Sequence, residues 1–148
     1  MDDPFLFLVL TLDATVRVST PLIFCAMAGL FSERSGIIDI SLEGKMLSAA
    51  FVAASVASFT GSAWIALLAA ICITISLSAL HGFSCITHNG NQVVSGVAIN
   101  IIASGLTVVI GIAWFHQGGQ TPSLPASARF MPMEFPLVDL LGAVPILG

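Results

Sequence analysis

The chain has 148 residues, 57% of them hydrophobic, with four basic and eight acidic side chains. No Asp, Glu, Lys or Arg occurs in the 83 residues between Lys45 and Arg129, where a soluble domain would carry about 20 charges, so this is an integral membrane protein. A net charge of −4 also excludes nucleic-acid binding, which needs clustered Lys and Arg to neutralise phosphates.

A bilayer core of about 30 Å takes roughly 20 apolar residues as a helix. Met1-Asp2-Asp3 lacks the positive start of a secretory signal, so the first apolar segment is expected to stay in the mature chain. Residues 4–13 read as an interfacial lead-in and about 14–31 as the first span, with Asp13 and Arg17 at the i, i+4 spacing that lets them pair. Residues 32–37 (SERSGI) break it. The second span is predicted over 38–59, with Asp39 placed to cap it and Glu43 in the first turn, where the helix dipole favours an anion. Gly61-Ser62 ends it, and a third span covers 63–82 with Trp64 as an interface anchor. Residues 81–92 form a polar break rich in turn formers, and the fourth span runs over 93–115 to a Trp114-Phe115 belt. The two glycines and four prolines of 116–136 make a loop, and the 12 apolar residues of 137–148 read as the start of a fifth helix. The expected fold is all-α, a polytopic transmembrane helix bundle whose sequence stops partway.

Helices in lipid associate through small residues and polar contacts. Ala49, Ala53, Ala57 and Gly61 share one face of the second span, and Ala66, Ala70, Thr74, Ser78 and Gly82 share one face of the third, which points to an antiparallel hairpin. On the fourth span Gly96, Asn100, Ser104, Thr107 and Gly111 fall on one face. An amide near mid-membrane needs a partner or water, so Asn100 either bonds a neighbouring helix or faces a polar path.

Signs of bond chemistry are few. Gly44-Lys45 has neither the upstream glycine nor the following Ser or Thr of a phosphate-binding loop. His81, Cys85 and His88 have spacings that suit a metal but no evident fourth ligand, so a polar helix end is the better reading. Three cysteines in apolar surroundings read as packing residues rather than as a disulfide framework. No enzyme and no metal site is expected.

GLFSERSGIIDISLEGKML (29–47) closely resembles the segment around GLFSERSGVINIGLEGMML in bacterial ABC-transporter permeases of the ribose and branched-chain amino acid type. NQVVSGVAIN (91–100) and GGQTPSLP (118–125) resemble further blocks of the simple-sugar and nucleoside subgroup, in order, so the likeness runs over roughly 15–125. Asp39 stands where the family has Asn, Ser41 where it has Gly, and Lys45 where it has an apolar residue. This leaves two readings open: the added acid and base offset each other, or the copy is degenerating. Family members are about twice as long, so the likeness is to the N-terminal half.

The positive-inside tally is even, with Arg34 and Lys45 on one side and Arg17 and Arg129 on the other. The resemblance implies that 32–37 and 83–91 are cytoplasmic and that 60–62, 116–136 and the N-terminus lie outside, in a bacterial inner membrane. It implies a permease subunit of an ATP-driven importer for nucleosides or simple sugars. The implied partners are a second permease subunit, two cytosolic ATPase subunits that bind the ATP, and an extracytoplasmic substrate-binding lipoprotein; the chain itself needs no cofactor. Asn100, Ser104 and Thr107 are the expected substrate path, with Asp39 at a broken helix start beside it. Gln120 and Thr121 are expected to touch substrate or lipoprotein from the outer loop. The rival readings are a truncated, transport-inactive fragment that only occupies a partner permease, and a passive channel.

Overall fold

The computed structural model describes residues 4–116 and 120–130. It is all-helical, with four helices long and apolar enough to cross a membrane. The chain divides into two compact units. One takes in Met1–Met27 and Met131–Gly148, of which 4–27 are described, and the other is Ala28–Phe130. The expected fifth helix at 137–148 lies outside the described residues.

Helix α1 runs over Pro4–Arg34, so the expected lead-in and first span are one continuous helix. Hydroxyls within it bond back to their own helix, as with Thr11 to the Phe7 carbonyl (2.8 Å) and Thr20 to that of Val16 (2.8 Å), which keeps polar side chains satisfied in lipid. Asp13 and Arg17 pair at 3.2 Å. Gly36 stops the helix, because its φ of +87° suits glycine best. The N–H of Gly36 reaches the Glu33 carbonyl (3.0 Å) and that of Ile37 the Ser32 carbonyl (3.2 Å), the paired bonds of a Schellman cap.

The next helix, α2, covers Leu42–Thr60 and so begins four residues later than the sequence pattern suggests. Residues 37–41 are not helical, and side chains of the fourth helix, α4 (Gln92–Phe115), bond their backbone instead. Gln92 Oε1 accepts from the Ile38 N–H at 2.7 Å, and Asn100 Nδ2 donates to the Ile40 carbonyl at 3.0 Å. Gly96, one turn into α4, lets this strip lie close: a Cβ there would stand 3.1 Å from Ile40 Cβ and 3.2 Å from the Ser41 nitrogen.

Helix α2 ends on Gly61, left-handed at φ +67°, whose N–H returns to the Ala57 carbonyl. Helix α3, Ala63–Gly82, then runs back along it. Ala57 and Ala66 are buried where the two meet, with Ala128 from the loop packed on them. Ala70 and Thr74 continue that face half-buried, whereas Ser78 stays exposed. A π-helical turn at Phe83–Thr87 widens the end of α3 and buries Cys85. Asn91 caps α4 by accepting from the Val93 and Val94 N–H groups at 3.0 and 3.2 Å.

Gly44 near the start of α2 meets Asn100, and Phe59 near its end packs on Trp114 and Phe115, with ring centroids 5.8 and 5.7 Å apart. Helices α2 and α4 are therefore parallel, and both begin on the side where 35–41 meets 83–92. Their far ends meet the loop 120–130, which touches α3 through an edge-on Trp64–Phe130 pair. Large apolar side chains face outward on every helix, while Ser41, Lys45, Ser48, Ser55 and His81 are buried. That inversion of the soluble pattern suits a protein whose solvent is hydrocarbon.

Candidate functional site

Two polar sites flank the start of α2. In the first, Asp39 accepts from the Ser41 N–H and hydroxyl with one carboxylate oxygen and pairs with the Lys45 ammonium through the other. Both ions are shielded, with 11% of the Asp39 side chain and 5% of that of Lys45 exposed. The Asp39–Lys45 spacing is six residues, which faces no side chains together on a helix. It works here because the chain is non-helical up to Ser41 and turns into a helix immediately after. His81, buried at the end of α3, brings Nε2 to 3.8 Å from Asp39 and Nδ1 to 3.1 Å from the Ser95 hydroxyl on α4. Cys85 Sγ lies 3.7 Å from the same ring, whereas His88 packs edge-on against Phe83. Among the described residues no group of three or more His, Cys, Asp or Glu side chains is placed to hold a metal ion.

The second site is built on Asn100. Its Oδ1 accepts from the Gly44 N–H at 2.8 Å while its Nδ2 donates to Ile40. Gly44 is the third residue of α2, so its N–H has no partner within the helix. Asp39 was the expected cap; the structure has Ser41 at that position without a side-chain cap bond, and Asn100 supplies the acceptor from the neighbouring helix. A buried helix start needs such a partner, because lipid offers none.

Beyond Asn100 the helices part. A cavity of about 620 Å³ lies between α2 and α4, lined by Phe51, Ser104, Thr107, Gln120 and Thr121 among others. A smaller one of about 200 Å³ adjoins it, sharing Leu47 and Ser104 and adding Glu43 and Asn100. The structure thus places Ser104, Thr107, Gln120 and Thr121 around one cavity and Asn100 at the next. Asp39 lines neither, its carboxylate being held by Ser41 and Lys45.

The hydroxyls have a fixed polarity. Ser104 donates to the Ile101 carbonyl at 2.9 Å and Thr107 to the Ser104 carbonyl at 3.1 Å. Their protons are spent, so towards the cavity they offer lone pairs. Among the described residues the lining is uncharged, with the Ser104 and Thr107 lone pairs, the Gln120 amide, which both donates and accepts, the Thr121 hydroxyl and one aromatic ring, and it suits a neutral solute with many hydroxyls. Lys45, His81, Ser95, Phe51 and Glu43 were not singled out as site residues by sequence reasoning. Three of them carry a signal in the sequence: Lys45 as a charge where the resembled family has an apolar side chain, Glu43 as an acid in a first helical turn, and His81 through its spacing to Cys85 and His88.

The fold and this site define a multi-pass membrane protein whose polar groups line a cleft and hold helices together. The profile of the family described as the permease component of branched-chain amino acid transport systems matches residues 11–140, and the chain belongs to that family. It is a transporter permease family member and not an enzyme. The chain is 33% identical over 138 residues to the putative glucose ABC transporter permease protein TsgC13 of Haloferax volcanii, covering 93% of this chain and 40% of that protein. It is 36% identical over 141 residues to the guanosine ABC transporter permease protein NupQ of Bacillus subtilis, covering 91% and 42%. The nucleoside ABC transporter permease protein NupC of Lactococcus lactis is 35% identical over 106 residues, covering 68% and 33%. The chain therefore spans about two-fifths of the length of the first two relatives. No solved structure matches it.

Proposed function

We propose that this chain forms part of the translocation path of an ATP-driven importer for nucleosides or simple sugars, in the cell membrane of a bacterium. The carrying observation is the cavity of about 620 Å³ between two parallel helices, lined by Ser104, Thr107, Gln120 and Thr121. Its size falls in the range of small-molecule sites. A sugar or ribose presents many hydroxyl donors, and the spent protons of Ser104 and Thr107 leave acceptors to meet them. The similarity to permeases named for glucose and guanosine supports the same solute classes.

In this reading a second permease subunit completes the path, cytosolic ATPase subunits supply the energy, and an extracytoplasmic binding lipoprotein delivers the solute at the 120–130 end. Residues 32–37 and 83–91 then face the cytoplasm. Asn100, Ser104 and Thr107 line the path; Asp39 acts beside it, holding the interrupted start of α2 in place. The reading is tested in the assembled transporter by Ser104→Ala with Thr107→Val. ATP-dependent uptake of guanosine or glucose is expected to fall about tenfold, in keeping with the loss of two hydrogen-bond acceptors, at unchanged membrane level. Unchanged uptake refutes the path assignment, and uptake independent of ATP makes the protein a channel.

A further inference from the structure

Among the described residues Glu43 is the one charged side chain lining either of the two adjoining cavities. It sits in the first turn of α2, next to Gly44, whose N–H is held by Asn100. Its position is unlike that of Asp39, four residues earlier, where every carboxylate oxygen has a partner. Glu43 makes no ion pair or hydrogen bond among the described residues, and it is exposed. A carboxylate at a spanning helix is costly unless it faces water or a partner, and facing a polar cavity removes that cost.

The surrounding groups decide what it can bind. Ser104, shared by both cavities, has given its proton to the Ile101 carbonyl and presents lone pairs. Asn100 has one N–H committed to Ile40 and its oxygen committed to Gly44. The junction of the cavities therefore offers the second Asn100 N–H as a donor beside the Ser104 lone pairs, and its strongest acceptor is a carboxylate with two oxygens side by side. Two adjacent hydroxyls match that spacing, each donating to one oxygen. An anionic solute meets repulsion there, with no cation among the described residues lining either cavity to offset it.

We infer that Glu43 is a specificity-determining residue, accepting hydrogen bonds from a pair of neighbouring hydroxyls on an uncharged solute. This rests on the reading of the cleft as a solute path. The test measures uptake kinetics in the assembled transporter with guanosine and with its 2′,3′-dideoxy analogue, comparing wild type with Glu43→Gln. Replacing the carboxylate by an amide of the same size is expected to raise the KM for guanosine roughly tenfold, as loss of a charge-assisted hydrogen bond does. The KM for the dideoxy analogue stays the same, because it has no hydroxyl pair to lose. Glucose, with adjacent hydroxyls, follows guanosine wherever it is taken up. A KM that moves equally for both nucleosides, or for neither, overturns the inference and leaves the path reading standing. Glu43→Asp covers the case in which the amide variant fails to reach the membrane: it keeps the charge one methylene back, and a smaller rise selective for guanosine is expected. A wild-type transporter that takes up neither guanosine nor glucose overturns the path reading and this inference with it.

Discussion

Removing the positive charge of Lys45 tests the buried pair at the start of α2 most directly. With 5% of the Lys45 side chain and 11% of that of Asp39 exposed, neither ion is hydrated well enough to stand alone. Taking away one member of a buried pair leaves the other desolvated and uncompensated, which costs about 3–5 kcal/mol. Lys45→Met keeps most of the side-chain volume, so the loss falls on the charge. Asp39→Asn keeps an oxygen for the Ser41 N–H and hydroxyl, so it too removes mainly charge. Each single variant is expected to lose about 3–5 kcal/mol of stability. The double variant is expected to recover most of this, because replacing both ions of a buried pair is often close to neutral. The assay is unfolding of the purified chain in mixed micelles of mild detergent and dodecyl sulfate, followed by helix content across all four variants. Losses that simply add in the double variant would refute the pairing, since independent sites add and coupled ones do not. A Lys45→Met chain as stable as wild type would refute it equally.

Two further predictions concern close packing and capping. A Cβ at Gly44 would lie 2.7 Å from Asn100 Oδ1 and 2.8 Å from Asn100 Cα, so Gly44→Ala is expected to cost about 1–3 kcal/mol in the same unfolding assay. Gly105→Ala, with nothing within 4 Å of its added Cβ, is expected to be neutral or to stabilise by up to about 1 kcal/mol; equal effects at the two sites would show that α2 and α4 do not meet there. Asn91→Ala removes the acceptor of the Val93 and Val94 N–H groups and is expected to cost about 1 kcal/mol, with faster amide exchange confined to the first turn of α4. Unchanged exchange at Val93 and Val94 would refute the cap.

Much of the site could be read along the fourth helix because it is periodic. Asn100, Ser104 and Thr107 recur at helical spacing, so their shared face needed no structure. What each does depends on neighbours far away in sequence. Asn100 bonds Ile40 and Gly44, whereas Ser104 and Thr107, one and two turns on, border open space. The sequence left glue and path lining as alternatives for this face, and in the structure the face divides between bonding to α2 and bordering the cavities. The start of α2 departs from its sequence pattern for a related reason. Ile38-Asp39-Ile40-Ser41 suits a helix as well as any apolar stretch with a capping acid. Side chains of Gln92 and Asn100 hold it otherwise, more than fifty residues away.

By itself the sequence determined the solvent of this protein and the four long apolar helices among the described residues. A run of 83 residues without a charge cannot cover a soluble surface, and Gly36 before it and Gly61 and Asn91 within it stand where turns and caps demand. Tertiary structure alone decided that α2 and α4 pack against each other, that Asp39 and Lys45 neutralise each other, and that Gln120 and Thr121 join Ser104 and Thr107 around one cavity. The physical reason is range. Hydropathy and turn chemistry act within a few residues, whereas a charge pair or a cavity exists only where separate segments are brought within a few ångströms of each other.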